Sequence, residues 1–209
     1  MITLSGCAFS PKTHFYTLTG IGHQRVAGAE PSAQLPDGND SFSQVTLAGE
    51  HSYGIGPLFL PEALMQPGVV THRQGQSVNL SLYNIWAGNL REAVTRVVAS
   101  NISELTDIDA VWPFPWDNRN RPTRQIRIVF EQFAGELGGE LILKAKWALT
   151  EQNGEKVLLQ ERVVLTDEAK GSGYGPYVDS LNNLVNRLSE NMVLAIAELD
   201  KTSEASGKP

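Results

Sequence analysis

The sequence predicts an α+β domain: an antiparallel sheet meander with two amphipathic helices packed on one face. Three observations lead there. Apolar residues alternate at period two through 126–130 and 141–149, a further strand over 157–166 follows the Asn153-Gly154 turn, and turn residues separate these runs. Apolar residues recur at helical spacing after Asn89 and again after Tyr177. Strands joined by tight turns pair antiparallel, and two amphipathic helices need a sheet face against which to bury their stripes.

Each element has its own signal. Val78, Leu80 and Leu82 occupy alternate positions, which predicts a half-buried strand over 77–83. Leu90, Ala93, Val94, Val97, Asn101 and Leu105 then form a helical stripe. Asn89 is placed to cap that helix, and Glu92 three residues on completes a capping-box pattern. Ile126, Ile128 and Phe130 alternate with Arg127, Val129 and Glu131, a second strand. Gly138-Gly139 marks a turn, and Leu141, Leu143, Ala145, Trp147 and Leu149 continue the alternation. Asn153-Gly154 is a hairpin signal because both residues tolerate positive φ; a strand over 157–166 follows. A long helix over about 177–199 closes the pattern, with Leu181, Leu184, Val185, Leu188, Met192, Ala195 and Ile196 on one face.

Composition narrows the function classes. The 209 residues carry 17 Lys plus Arg against 23 Asp plus Glu, a net charge of −6, which opposes a nucleic-acid binder that must neutralise phosphates. At 41% hydrophobic residues the chain has enough apolar surface for a packed core. One cysteine, Cys7, rules out an intramolecular disulfide and a multi-cysteine metal cluster. The expected organisation is a signal or lipobox remnant at 1–6, an N-terminal segment with a short strand and flexible tether at 7–51, one α+β domain at 52–200, and a disordered tail at 201–209.

The chemical motifs point away from catalysis. His14, His23, His51 and His72 lack metal-ligand spacing and read as loop residues, so no metal is expected. No serine sits in a Gly-x-Ser-x-Gly elbow. Gly171-Ser172-Gly173-Tyr174-Gly175 precedes a helix, but it ends in Pro176-Tyr177 where a phosphate loop needs Lys-Ser or Lys-Thr; it reads as a strand-to-helix connection. No catalytic residue is assigned, and the chain is expected not to be an enzyme. Trp112, Phe114 and Trp116, interleaved with Pro113 and Pro115, form either a plug at the end of the core or the lip of a docking surface. Together with Leu58, Leu60 and Pro61 they are the candidate partner-binding residues.

The N-terminus carries a more specific signal. Leu4-Ser5-Gly6-Cys7 matches the bacterial lipobox, in which small residues admit a peptidase and the cysteine takes a diacylglycerol and a further acyl chain. Each buried methylene contributes about 0.8 kcal/mol, so several chains make a stable anchor. Only Met1-Ile2-Thr3 precede Leu4, whereas an export signal needs a charged segment and an apolar stretch. The expectation is that the start lies upstream, or that Met1 replaces part of the signal.

Cys7-Ala8-Phe9-Ser10-Pro11 followed by Phe15-Tyr16-Thr17-Leu18 resembles the mature start of the PqiC (YmbA) family, the ABC-type transport auxiliary lipoproteins. The resemblance continues through Ile55-Gly56-Pro57-Leu58-Phe59-Leu60-Pro61, Pro67, Val69-Val70-Thr71, Trp86-Ala87, Leu90, Arg96-Val97, Asn101, Leu105, Pro115-Trp116, Phe133, Trp147 and the stretch 184–196. It implies a lipoprotein of Gram-negative bacteria held by lipid on Cys7 to the outer membrane, facing the periplasm, with no other cofactor. Ala8 after the cysteine fits outer-membrane sorting. The implied partners are a mammalian-cell-entry (MCE) domain protein spanning the periplasm and an integral inner-membrane component, in intermembrane lipid transport. The resemblance also implies a homo-oligomeric ring. The alternative is a periplasmic module carrying lipid or another small molecule in a groove between sheet and helices; such a carrier should contain a continuous apolar cavity, whereas a docking component should have a filled core.

Overall fold

The computed structural model describes residues 11–22, 44–72, 77–117, 121–151 and 154–206. In chain order its elements are β1 (His14–Tyr16), β2 (Tyr53–Phe59), a 3-10 turn (Glu62–Met65), β3 (Gly68–His72), β4 (Val78–Trp86), α1 (Leu90–Thr106), β5 (Val111–Pro113), β6 (Arg124–Gly135), β7 (Glu140–Glu151), β8 (Lys156–Glu168) and α2 (Tyr174–Ser206). The strands form a large sheet in the order β5-β2-β6-β7-β8 and a small one in the order β1-β4-β3. The fold is α+β, as the periodicity predicts.

The meander follows from its alternation. β6 pairs antiparallel with β7, and β7 with β8, so that Ile126, Ile128, Leu141, Leu143 and Leu149 all reach the buried face. Gly154 adopts φ 94° just before β8; its predicted turn partner Asn153 lies outside the described residues. On the opposite, wet face Glu131 pairs with Lys146 at 2.8 Å and with Arg162 at 2.6 Å.

Both helices bury their stripes against that apolar face. Asn89 caps α1 by accepting a hydrogen bond from the Glu92 amide at 3.3 Å, and Asp107 ends the helix in the left-handed region at φ 58°. Val94, Val98 and Ile102 of α1 and Leu184, Val185, Leu188, Met192 and Ile196 of α2 join one core with the sheet residues. Fully burying such a side chain contributes about 1.5–3 kcal/mol, whereas an exposed ion pair is worth about 0–1. The helical stripes, not the charges on the outer face, therefore hold the layers together.

The structure departs from expectation in four places. β2 and β3 lie in segments where the sequence pattern shows no strand, because Gly54, Gly56, Pro57 and Gly68 interrupt the alternation. β2 runs parallel to both β5 and β6, so the large sheet is mixed; the long crossover that parallel pairing requires contains α1. β4 exists, but its face is inverted: Val78, Leu80 and Leu82 are exposed and Ser81 is buried. It belongs to the small sheet, outside the helix-covered meander, and a register shift against β3 falls opposite 81–84. Finally, α2 begins at Tyr174 and runs to Ser206, well past the expected end.

Two joints tie the parts together. The Tyr177 hydroxyl donates to the Val70 carbonyl of β3 at 2.8 Å and accepts from the Gly135 amide of β6 at 2.9 Å, linking α2 to both sheets. Within the segment read as a tether, Ile21 and Leu47 are buried in the core, and the Val45 amide bonds the Leu105 carbonyl at 2.9 Å. Residues 23–43 of that segment lie outside the described residues.

Candidate docking site and anchor segment

The aromatic segment is seated on two glycines. In β2, Gly54 and Gly56 are two residues apart and so present the same side of the strand. β5 adds to β2 in parallel register, with Gly54 opposite Trp112 and Ile55 opposite Pro113, and the Phe114 amide donates to the Ile55 carbonyl at 2.9 Å. A side chain at Gly54 would come within 2.8 Å of the Trp116 ring, and one at Gly56 within 2.6 Å of the Phe114 Cβ. Gly56 also sits at φ 124°, which disfavours any other residue. Phe114 and Trp116 meet edge to face, with ring centroids 5.1 Å apart and an interplanar angle of 85°. The outcome is a backed aromatic knuckle: Trp112 and Trp116 are half-buried, while Phe114 keeps 46% of its surface exposed.

The second predicted segment behaves differently. Leu58 is only 3% exposed and belongs to the core, so it offers nothing to a partner. Leu60 packs against the core while partly accessible, and Pro61 is half-buried with its carbonyl accepting the Leu64 amide at 3.0 Å. The exposed apolar side chain here is Phe59, one residue along, because a period-two strand that buries Leu58 must turn Phe59 outward. Gly54 and Gly56 were not among the predicted site residues; the available signal was their spacing of two ahead of an aromatic, proline-rich loop.

Cys7 lies outside the described residues; the chain from His14 to Ile21 is held by a strand pairing and by two asparagines. β1 pairs parallel with β4, with His14 opposite Asn84 and Tyr16 opposite Trp86, and the Ala87 amide donates to the Tyr16 carbonyl at 2.8 Å. Asparagines on both helices then hold the backbone. Asn182 accepts the Thr19 amide and Asn101 accepts the Ile21 amide, each at 2.8 Å. Asn101 is fully buried and donates to Asn186 at 2.8 Å and to Ser189 at 3.2 Å. A buried amide cannot be left unpaired cheaply, so these bonds fix the N-terminal segment as well as the helix pair.

A further polar cluster lies at the start of β6. Arg124, buried, pairs with Asp200 at 2.9 Å and Glu151 at 3.3 Å, and bonds the Tyr53 hydroxyl at 3.2 Å. Burial works against the Arg124 charge, but the bonds to Asp200 and Tyr53 outweigh it and raise its pKa. Asp200 also accepts the Ala48 amide at 3.2 Å. Every member is already engaged with another, so the cluster closes the end of the fold rather than presenting a reactive group. Among the described residues no group of His, Cys, Asp and Glu could hold a metal ion. A surface hollow of about 380 Å³ is lined by Asp167, Glu168, Lys170, Asp179, Ser180 and Asn183, a setting suited to water rather than to an acyl chain.

Comparison with known proteins decides the family. The model of the ABC-type transport auxiliary lipoprotein component matches residues 34–193. The chain belongs to that family. Membership makes this chain a transport auxiliary lipoprotein rather than a member of a known enzyme family, and sets it among membrane-anchored, envelope-associated proteins. No protein among the curated ones matches it. Among the solved structures similar to it, two illustrate the shared fold. One is protein XCC0632 from Xanthomonas campestris, at 10% identity and a TM-score of 0.67, covering 92% of this chain and 99% of its own. The other is an uncharacterized protein at 15% identity and a TM-score of 0.65, covering 89% of this chain and 99% of its own. No helix among the described residues is long and apolar enough to cross a membrane.

Proposed function

We propose that this auxiliary lipoprotein is anchored to the outer membrane by lipid on Cys7, faces the periplasm, and serves as a non-enzymatic docking and assembly component of an MCE-type intermembrane lipid transport system. Its partners in this reading are the periplasm-spanning MCE-domain protein and the integral inner-membrane component, and its own copies assemble into a ring. Family membership supports the transport role, and the lipobox at 4–7 supports the anchor. The observation that carries docking is Phe114: its backbone is bonded to Ile55 and its ring is braced by Trp116, yet nearly half of the side chain remains open to solvent. A rigid aromatic presented this way binds with little loss of conformational freedom. The cargo-carrier alternative has less support, since the buried apolar side chains of sheet and helices form one continuous cluster and the hollow beside α2 is lined mostly by polar residues.

The test is co-purification of the MCE protein from detergent-solubilised envelopes using tagged wild type and Phe114→Asp. Phe114 is exposed, so the variant should melt within a few degrees of wild type and recover less than about a tenth of the MCE protein, as expected when truncation at a hot spot removes more than 1.4 kcal/mol. Equal recovery by both proteins would remove this surface from the docking account.

A further inference from the structure

The small sheet carries an apolar surface that neither the core nor the docking reading uses. Phe15 of β1 is 67% exposed and Leu82 of β4 is 78% exposed, and Val78, Leu80 and Tyr83 beside them are exposed as well. Isolated exposed apolar residues are ordinary, but here the register relates them: Phe15 pairs with Ile85, Gly68 with Ile85 and Val70 with Leu80, which puts Phe15 and Leu80 on one side of the sheet, with Leu82 and Tyr83 in the irregular stretch between Leu80 and Ile85, and such a group calls for an occupant.

Chain connectivity says which occupant. β1 is parallel to β4, with His14 opposite Asn84, so tracing the chain back from His14 to Pro11 runs in the direction of Tyr83 and Leu82, at the middle of β4. Pro11, the first described residue, follows Cys7 by four positions. A fully extended chain gains at most about 3.6 Å per residue, so Pro11 lies no farther than about 14 Å from Cys7. Residues 23–43 come after the docked segment Thr17–Ile21 and cannot lengthen this connection. Whatever Cys7 is anchored to must therefore lie within about 14 Å of Pro11, which leads into β1 of the small sheet.

We infer that this apolar face, centred on Phe15, Leu82 and Tyr83, rests on the phospholipid surface that holds the Cys7 lipid. The inference rests on the anchor proposed above and adds the orientation of the domain to it. Charge agrees with a lipid surface. Residues 1–29 and 63–91, which supply the whole small sheet, contain no aspartate or glutamate in a chain that has 23, and Lys12 sits just ahead of β1. The strands of the small sheet themselves therefore bring no carboxylate to repel anionic headgroups.

The test uses the full chain produced behind a lipoprotein export signal. Lipid on Cys7 consumes the natural thiol, so Leu82→Cys and, separately, Phe15→Cys each provide one site for an environment-sensitive fluorophore; Leu194→Cys, exposed on α2, serves as the control. The labelled proteins are reconstituted into vesicles of phosphatidylethanolamine and phosphatidylglycerol, with and without nitroxide-bearing lipid. Labels at 82 and 15 should lose most of their emission to the nitroxide, while the label at 194 is unaffected. Lipidated protein whose label at 82 is quenched no more than that at 194 would overturn the inference and leave the anchor standing. A blue-shifted label at 82 that ignores the nitroxide would also overturn it, in favour of a second copy covering the patch. An N-terminal peptide whose mass lacks the lipid would overturn the anchor, and this inference with it.

Discussion

Arg124 and Asp200 show how much of this molecule depends on single paired side chains. Both are buried and 2.9 Å apart, and the arginine joins the start of β6 to the C-terminal half of α2. Removing one charge of such a pair strands the other, which typically costs about 3–5 kcal/mol. Asp200→Asn should therefore lower the unfolding free energy by about that much in a urea titration, with an unchanged slope. His51 adds a pH dependence to the same corner. Burial, and secondarily the neighbouring positive charge of Arg124, lower its pKa below the ordinary 6.5, although Asp200 and Glu151 pull the other way. The folded state thus takes up a proton less readily than the unfolded chain. Stability from this source is complete above pH 6.5 and is lost as pH falls from there toward the lowered folded value. Melting curves between pH 7.5 and pH 5, roughly the window set by the ordinary histidine pKa, should fall less steeply for His51→Gln than for wild type. Nothing in the sequence near His51 announced this environment, because Arg124 and Asp200 come to it from 73 and 149 positions away.

At the level of elements, Tyr177 is the joint between the two sheets. Burial raises its phenol pKa to about 12, with the Gly135 hydrogen bond acting in the opposite direction, so the hydroxyl stays neutral and donates to Val70. Tyr177→Phe leaves the Val70 carbonyl and the Gly135 amide without this partner, at about 1–3 kcal/mol. Hydrogen exchange should then speed up in β3 and in the Gly135 end of β6 ahead of the β7–β8 pairing; uniform acceleration across both sheets would show that the joint is not local. The elements that the sequence made legible are those whose partners are adjacent in the chain. The meander and the Asn89-capped helix follow from alternation and capping alone. β2 was hidden because glycines that receive Trp116 and Phe114 look like a loop, and its parallel partners are distant. β4 was legible as a strand but not by face: alternation shows that Val78, Leu80 and Leu82 lie on one side, while burial depends on what covers that side.

For the whole molecule, the order of parts along the chain matters more than any one of them. The sequence reading placed a flexible segment between the lipid site and the domain, since glycine and proline are dense there. Asn101 and Asn182 instead hold the backbone at Thr19 and Ile21, before most of that segment, and β1 is paired with β4 earlier still. Buried asparagines that accept bonds from a distant backbone leave no periodic trace, which is why this clamp could not be anticipated. With it, only the short stretch before Pro11 separates Cys7 from the domain, and the aromatic knuckle is fixed on β2. The claim on which the rest depends is that Cys7 carries the anchor. Wild type and Cys7→Ala should be expressed behind the same lipoprotein export signal, and the envelopes fractionated by density. The account predicts wild type in the outer-membrane fraction and Cys7→Ala free in the periplasm; both proteins soluble in the periplasm, or both in the membrane, would contradict it.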